Sequence, residues 1–122
     1  MISKWALAGE YFRIETPEEL CDALREYGPV AIGIGCFEEM FRIGKDGFIS
    51  YPRNPNNFYG GHAVCCCGFT ENNLFKFKNS WGSDWGDNGY GYVSYKYIRD
   101  FMLDAWVVKD ISVTRDMLRD NM

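Results

Sequence analysis

Two short apolar runs, residues 62–69 and 74–79, flank the polar turn Glu71-Asn72-Asn73. Runs of this length bounded by turn residues signal strands, and so short a link returns the second strand antiparallel to the first. A lone hairpin buries too little surface to stand in water, so further strands or a helix must cover one of its faces. Thirteen glycines and 17% aromatic residues favour strands and tight turns over a helical bundle.

The covering elements are legible upstream and downstream. Residues 11–14 read as a short strand. Thr16 is a good N-cap, Pro17 suits the first helical position, and Glu19 completes a capping box with Thr16. Leu20, Ala23, Leu24 and Tyr27 recur at helical spacing and Gly28-Pro29 stops the run, which predicts a helix over residues 17–27. Residues 30–34 read as a buried strand with small residues at a close approach, 38–41 as a helical turn, and 48–49 as a short strand. After the hairpin, residues 81–88 form a glycine-rich loop, 89–95 a strand, 97–103 a short helix and 105–108 a last strand. Residues 112–122 are a peripheral helix or tail. The expected fold is α+β: one domain over 1–122, with about six antiparallel strands curled into a half or full barrel and an N-terminal helix packed on it.

Composition excludes several function classes. The 122 residues are 47% hydrophobic, enough to fill a core, with a formal charge of -4 and no basic run, so nucleic acid is not an expected partner. No apolar stretch reaches membrane-spanning length, so no membrane association is expected. The first nine residues lack the apolar core and cleavage site of a secretory signal, an expectation of cytoplasmic residence if the chain is complete. The five cysteines include the adjacent Cys65, Cys66 and Cys67, which cannot bridge one another along a strand and read as small core residues. With no paired-cysteine spacing, no metal and no cofactor is expected.

The chemistry gathers around one imidazole. His62 is the only histidine and lies in Gly60-Gly61-His62-Ala63, where the small neighbours clear space around the ring. Asn79, on the partner strand of the hairpin, can accept the imidazole N–H and set its tautomer without adding charge. Trp81 is placed to cover that bond and keep water from it. Trp81 and Trp85 lie in a loop with Gly82 and Gly86, which favours indoles lining a cleft over indoles in a core. Taken singly, Asn79 is a turn residue and the tryptophans are packing residues.

The runs Gly60-Gly61-His62-Ala63-Val64, Lys78-Asn79-Ser80-Trp81-Gly82-Ser83-Asp84-Trp85-Gly86-Asp87-Asn88-Gly89-Tyr90 and Asp104-Ala105-Trp106-Val107-Val108 resemble the C-terminal half of papain-like cysteine peptidases. The resemblance covers most of the chain, from about residue 10 to about residue 108. It implies that His62 is the catalytic base and acid, Asn79 its orienting residue, Trp81 the shield over the pair, and Trp85 an aromatic on the leaving-group side. Gly33 and Ala63 are implied to line a roomy apolar pocket for the substrate residue one step before the scissile one. Gly61 stands there where the family often has Asp or Asn.

The same resemblance implies a two-domain enzyme of which this is the barrel half. The nucleophilic cysteine of such enzymes precedes the histidine by roughly 130–150 residues. Here 61 residues precede His62, and no segment matches the one carrying that thiol and its oxyanion glutamine. The expected partners are a peptide or protein substrate and an N-terminal cysteine-containing half, on the same or a separate chain. Among the resident thiols, Cys36 is the candidate for residual thiol chemistry. A non-catalytic peptide- or protein-binding module is the competing reading, and a plain structural domain the third.

Overall fold

The computed structural model describes residues 11–108. The strands are β1 (Tyr11–Arg13), β2 (Val30–Gly35), β3 (Gly61–Phe69), β4 (Leu74–Lys78), β5 (Tyr90–Ser94) and β6 (Met102–Val108). The helices are α1 (Pro17–Tyr27), the single turn α2 (Glu38–Phe41) and α3 (Tyr95–Phe101). All the strands belong to one antiparallel sheet in the order β1-β6-β2-β3-β4-β5. The expected α+β architecture is present. The ladder is open, however: β1 and β5 are its two edges among the described residues, so the sheet does not close into a full barrel. The anticipated segments at 1–9 and 112–122 lie outside the described residues.

Local chemistry accounts for α1. The Thr16 hydroxyl accepts from the Glu19 amide at 3.1 Å, and the Glu19 carboxylate accepts from the Thr16 amide at 3.2 Å. This reciprocal pair satisfies donors that the helix start leaves open. Leu20 and Ala23 of α1 are buried, and the helix lies against β2 and β3.

Alternation builds the sheet's inner face. Val30, Ile32 and Ile34 of β2, Val64 and Cys66 of β3, Phe75 and Phe77 of β4 and Val93 of β5 all point into one core. Each fully buried side chain of this size stabilises the fold by about 1.5–3 kcal/mol. The same alternation corrects the reading of the cysteine triplet. Only Cys66 is fully buried, while Cys65 and Cys67 are half-buried on the other face. Of the three, only Cys66 is a core residue.

Three boundaries depart from expectation. Residues 48–49 form an isolated parallel bridge, Phe48 to Tyr92, instead of a strand. The helix expected at 97–103 begins at Tyr95, because the Ser94 hydroxyl caps it by accepting from the Tyr97 amide at 3.1 Å. Met102 and Leu103 join β6, where pairing with β2 takes the backbone groups that helix would have used.

The hairpin forms as expected, with Asn73 at φ 63° in its turn. The register slips between Cys66 and Gly68, leaving one more residue on β3 than on β4. Pairing with β4 begins at Cys65, whereas pairing with β2 runs from Gly61. β3 therefore extends past the end of β4, and residues 61–64 carry an edge with no β4 neighbour.

Candidate active site

The imidazole and the carboxamide meet where β3 outruns β4. His62 is the second residue of β3, opposite Ile34 of β2. Asn79 immediately follows β4 and is 4% exposed, its amide bonded to the Gly89 carbonyl at 3.0 Å. His62 Nε2 lies 2.7 Å from Asn79 Oδ1. That oxygen also accepts the Ser80 amide at 2.8 Å, which identifies it as the acceptor and makes Nε2 the donor. A neutral imidazole so held presents its lone pair at Nδ1.

Asn79 Nδ2 is buried and has no hydrogen-bond partner among the described residues. Such a donor costs about 1–3 kcal/mol. The sequence expects Asn79 to orient the ring, and two bonds converge on its oxygen, one from the imidazole and one from the Ser80 amide. Replacing Asn79 by Ala is expected to lower kcat by about 10- to 100-fold in the complete enzyme, the scale seen when an imidazole loses its orienting partner. Loss of the orphan donor offsets part of the lost bonding, so Tm should move by only a few degrees. Steady-state kinetics beside thermal melts check both halves of this expectation.

Trp81 packs against the imidazole. Its ring centroid is 4.8 Å from that of His62, tilted by 38°. Phe41 stacks on Trp81 at 5.2 Å and 13°, and Tyr59 meets Phe41 edge-on at 5.5 Å. Phe41, Tyr59 and Trp81 are all exposed.

Trp85, expected to line a cleft, is rooted in the core as well. It is half-buried against the core beside Phe77 and donates its Nε1–H to the Met40 carbonyl at 2.9 Å. It meets Trp81 edge-on at 5.7 Å and 85°, so its place is beneath the shield. The loop reaches this path because Gly86 adopts φ 58°, and a Cβ there would lie 2.5 Å from the Tyr90 carbonyl oxygen. Gly91 likewise admits Trp85 and Phe77, which would stand 2.7 and 2.8 Å from a Cβ at that position.

Gly33 and Ala63 are direct neighbours across β2 and β3, and Gly61 is opposite Gly35. Gly61 and Ala63 are exposed and Gly33 half-buried, on the face turned away from Ile32 and Val64. The patch is open, as the small side chains lead one to expect. It is not wholly apolar, because Asp104 of β6 borders Gly33 on the other side. Nothing in the local sequence around Asp104 marks it for this position; nor does anything mark Phe41 and Tyr59 as neighbours of Trp81.

The resident thiols are placed for packing. Cys36 is buried, its Sγ is 3.6 Å from Met40 Sδ, and burial pushes its pKa up, the reverse of an activated thiol. No thiol hydrogen-bonds to His62 among the described residues. Burial pushes the Cys66 thiol from the ordinary 9.0 to about 12. A proton held more tightly in the folded state stabilises the fold fully below the unfolded thiol's pKa, and that contribution is lost as pH rises toward about 12. The Cys66 share of stability should therefore fall by up to about 1.4 kcal/mol per pH unit above pH 9. Urea denaturation of wild type and Cys66→Ala between pH 8 and about 11 checks this: parallel slopes would refute it.

The model of the papain family cysteine proteases matches residues 4–106. The chain is 39% identical over 100 residues to an uncharacterized peptidase C1-like protein of Acanthamoeba polyphaga mimivirus, covering 78% of this chain and 32% of that one. It is 43% identical over 76 residues to the viral cathepsin of Mamestra configurata nucleopolyhedrovirus, covering 60% of this chain and 21% of that one. Among solved structures it is similar to xylellain, a cysteine protease from Xylella fastidiosa, with a TM-score of 0.66 and 30% identity over 82% of this chain and 39% of that one. The chain belongs to the papain family of cysteine proteases. It spans about a third or less of the length of the curated relatives it matches.

Proposed function

We propose that this chain supplies the histidine and asparagine of a cysteine-peptidase site and hydrolyses peptide bonds together with a cysteine-bearing half, on the same polypeptide or another. The observation that carries the reading is the 2.7 Å bond from His62 Nε2 to Asn79 Oδ1 beneath Trp81. It leaves Nδ1 as the working nitrogen. In the complete site, Nδ1 takes the thiol proton and the resulting thiolate attacks the substrate carbonyl carbon. The imidazolium then returns the proton from Nδ1 to the departing amine nitrogen as the C–N bond breaks. A water molecule, deprotonated by the same nitrogen, cleaves the thioester and restores the thiol. Asn79 keeps the ring in register through both transfers and, being neutral, leaves the thiolate as the imidazolium's counter-charge.

The free edge of β3 at residues 61–64 suits an extended peptide, whose backbone can add alongside it. The test is labelling by a thiol-directed peptide epoxide. The cysteine of the other half should be modified rapidly when this chain is present, and slowly when His62 is replaced by Ala. Equal labelling in both would refute the reading. The exposed aromatics Phe41, Tyr59 and Trp81 favour one alternative, a module that binds peptide without cleaving it. Saturable peptide binding with no acyl-enzyme would establish that alternative.

A further inference from the structure

The outer face of the hairpin carries a side-chain cluster that the peptidase reading does not use. Alternation along β3 turns Cys65 and Cys67 away from the buried Cys66, and both are half-buried free thiols. Neither belongs to the core or packs against it, unlike Cys21, Cys36 and Cys66. Hydrophobic packing therefore does not account for them. Cys65 stands opposite Lys78 of β4 and, on its other side, opposite the exposed Ala31 of β2. Cys67 is the extra residue of the β3 bulge, beside the Gly68–Lys76 pair. Its thiol makes one long contact, 3.5 Å to the Lys76 carbonyl. Lys76 Nζ is 4.4 Å and Lys78 Nζ 5.8 Å from the Tyr90 ring centroid. Neither lysine has a carboxylate ion-pair partner among the described residues. A pair of thiols and a pair of cations without counter-charge thus share one face.

We infer that Cys65 and Cys67 together hold a soft monovalent cation, copper(I) in class, as a two-coordinate bis-thiolate. Residues i and i+2 of a strand have Cα atoms about 6.5 Å apart, the long end of what a direct S–S bond spans. One metal atom between the sulfurs lengthens the bridge and suits that spacing better. Soft thiolate ligands select copper(I), which readily takes two of them in a line. Ions that need more ligands are not served. Among the described residues no group of three or more His, Cys, Asp or Glu is placed to hold a metal. The lack of paired-cysteine spacing argues against tetrahedral zinc and leaves a two-coordinate site open. One copper(I) ion and two thiols give a bis-thiolate anion and two protons: both S–H bonds break as both Cu–S bonds form. The product is a half-buried anion, and the ammonium groups of Lys76 and Lys78 lie on its face to offset that charge. Burial raises the pKa of both thiols, and the lysine charges pull each part of the way back. The thiols therefore stay protonated until a metal displaces the proton.

The experiment titrates the full chain, reduced and free of oxygen, with copper(I) in competition with bicinchoninate, a chromogenic copper(I) chelator. The chain should withdraw one copper(I) and release a pair of protons. Because both protons leave with each metal bound, the apparent affinity should rise about 100-fold per pH unit below the thiol pKa. Cys65→Ser and Cys67→Ser should each weaken binding by more than about 100-fold, since each removes one of the ligands. The double variant Lys76→Gln, Lys78→Gln should weaken it by about 10- to 100-fold, the scale for groups that support the ligands. Cys21→Ala and His62→Ala should bind as the wild type does, which separates this site from the proposed peptidase centre. X-ray absorption on the unaltered chain should show only a pair of sulfur neighbours around copper, a readout that holds even if a variant misfolds. Full affinity in Cys67→Ser, loss of binding in Cys21→Ala or His62→Ala, or nitrogen, oxygen or further sulfur around the metal would each overturn the assignment. None of these outcomes touches the peptidase reading, whose own test is the epoxide labelling.

Discussion

Replacing His62 by Ala should lower kcat/KM of the complete enzyme by about 1,000- to 10,000-fold, the upper range for removal of a general acid–base. This corresponds to roughly 4–5.5 kcal/mol of transition-state stabilisation. The magnitude follows if, as proposed, the ring serves twice, once when the thiol is deprotonated and once when the amine departs, with Nδ1 the nitrogen left free by the Asn79 bond. The fold should survive. His62 is only half-buried at the start of β3, and Asn79 Oδ1 keeps the Ser80 amide when the imidazole is gone. An unchanged melting temperature beside lost turnover is therefore the expected pair of measurements. Turnover within tenfold of wild type would remove His62 from the mechanism.

The largest expected effect on stability is at Phe77. Its ring is 1% exposed near the end of β4, opposite Gly91, with its centroid 5.9 Å from that of Trp85. Truncation to Ala removes the ring and leaves a cavity that the flanking strands cannot collapse to fill, at a cost of about 3–5 kcal/mol. Domains of this size are stable by about 5–15 kcal/mol, so the variant should lose between about a fifth and all of that margin. Phe77 also underlies the site: it supports Trp85, Trp85 meets Trp81, and Trp81 covers His62. Urea denaturation measures the loss, and a midpoint equivalent to less than about 1 kcal/mol would show that the core closes over the gap. Phe77→Leu, which retains most of the volume, should recover the greater part of the stability.

What could be read from the residues differs by the range of the interaction. Helix α1 spans residues 17–27 as expected, because Thr16, Pro17, Glu19 and Gly28 settle its ends within a few positions. The hairpin and its Asn73 turn are equally local. Helix α3 starts two residues earlier than its apolar pattern suggests, since a serine cap is easily overlooked beside a strand ending in Tyr and Val. The cysteine triplet differs from its reading as three core residues for another reason. Three small apolar residues in a row carry no sign of which face is inward until β2 and β4 set the register. The sequence expects Trp85 to line a cleft, and its anchor, the Met40 carbonyl 45 residues away, is one that no local pattern announces.

The motif around His62 and Asn79, the capped helix and the hairpin were written in the chain by itself, because short-range hydrogen bonding and turn geometry leave those segments few alternatives. The tertiary structure alone decided that β3 outruns β4, that Trp85 roots the indole lid in the core, and that a carboxylate from β6 borders Gly33. Those outcomes depend on how far each strand pairs with its neighbours, and pairing between residues distant in the chain is settled only when the whole sheet assembles around one core.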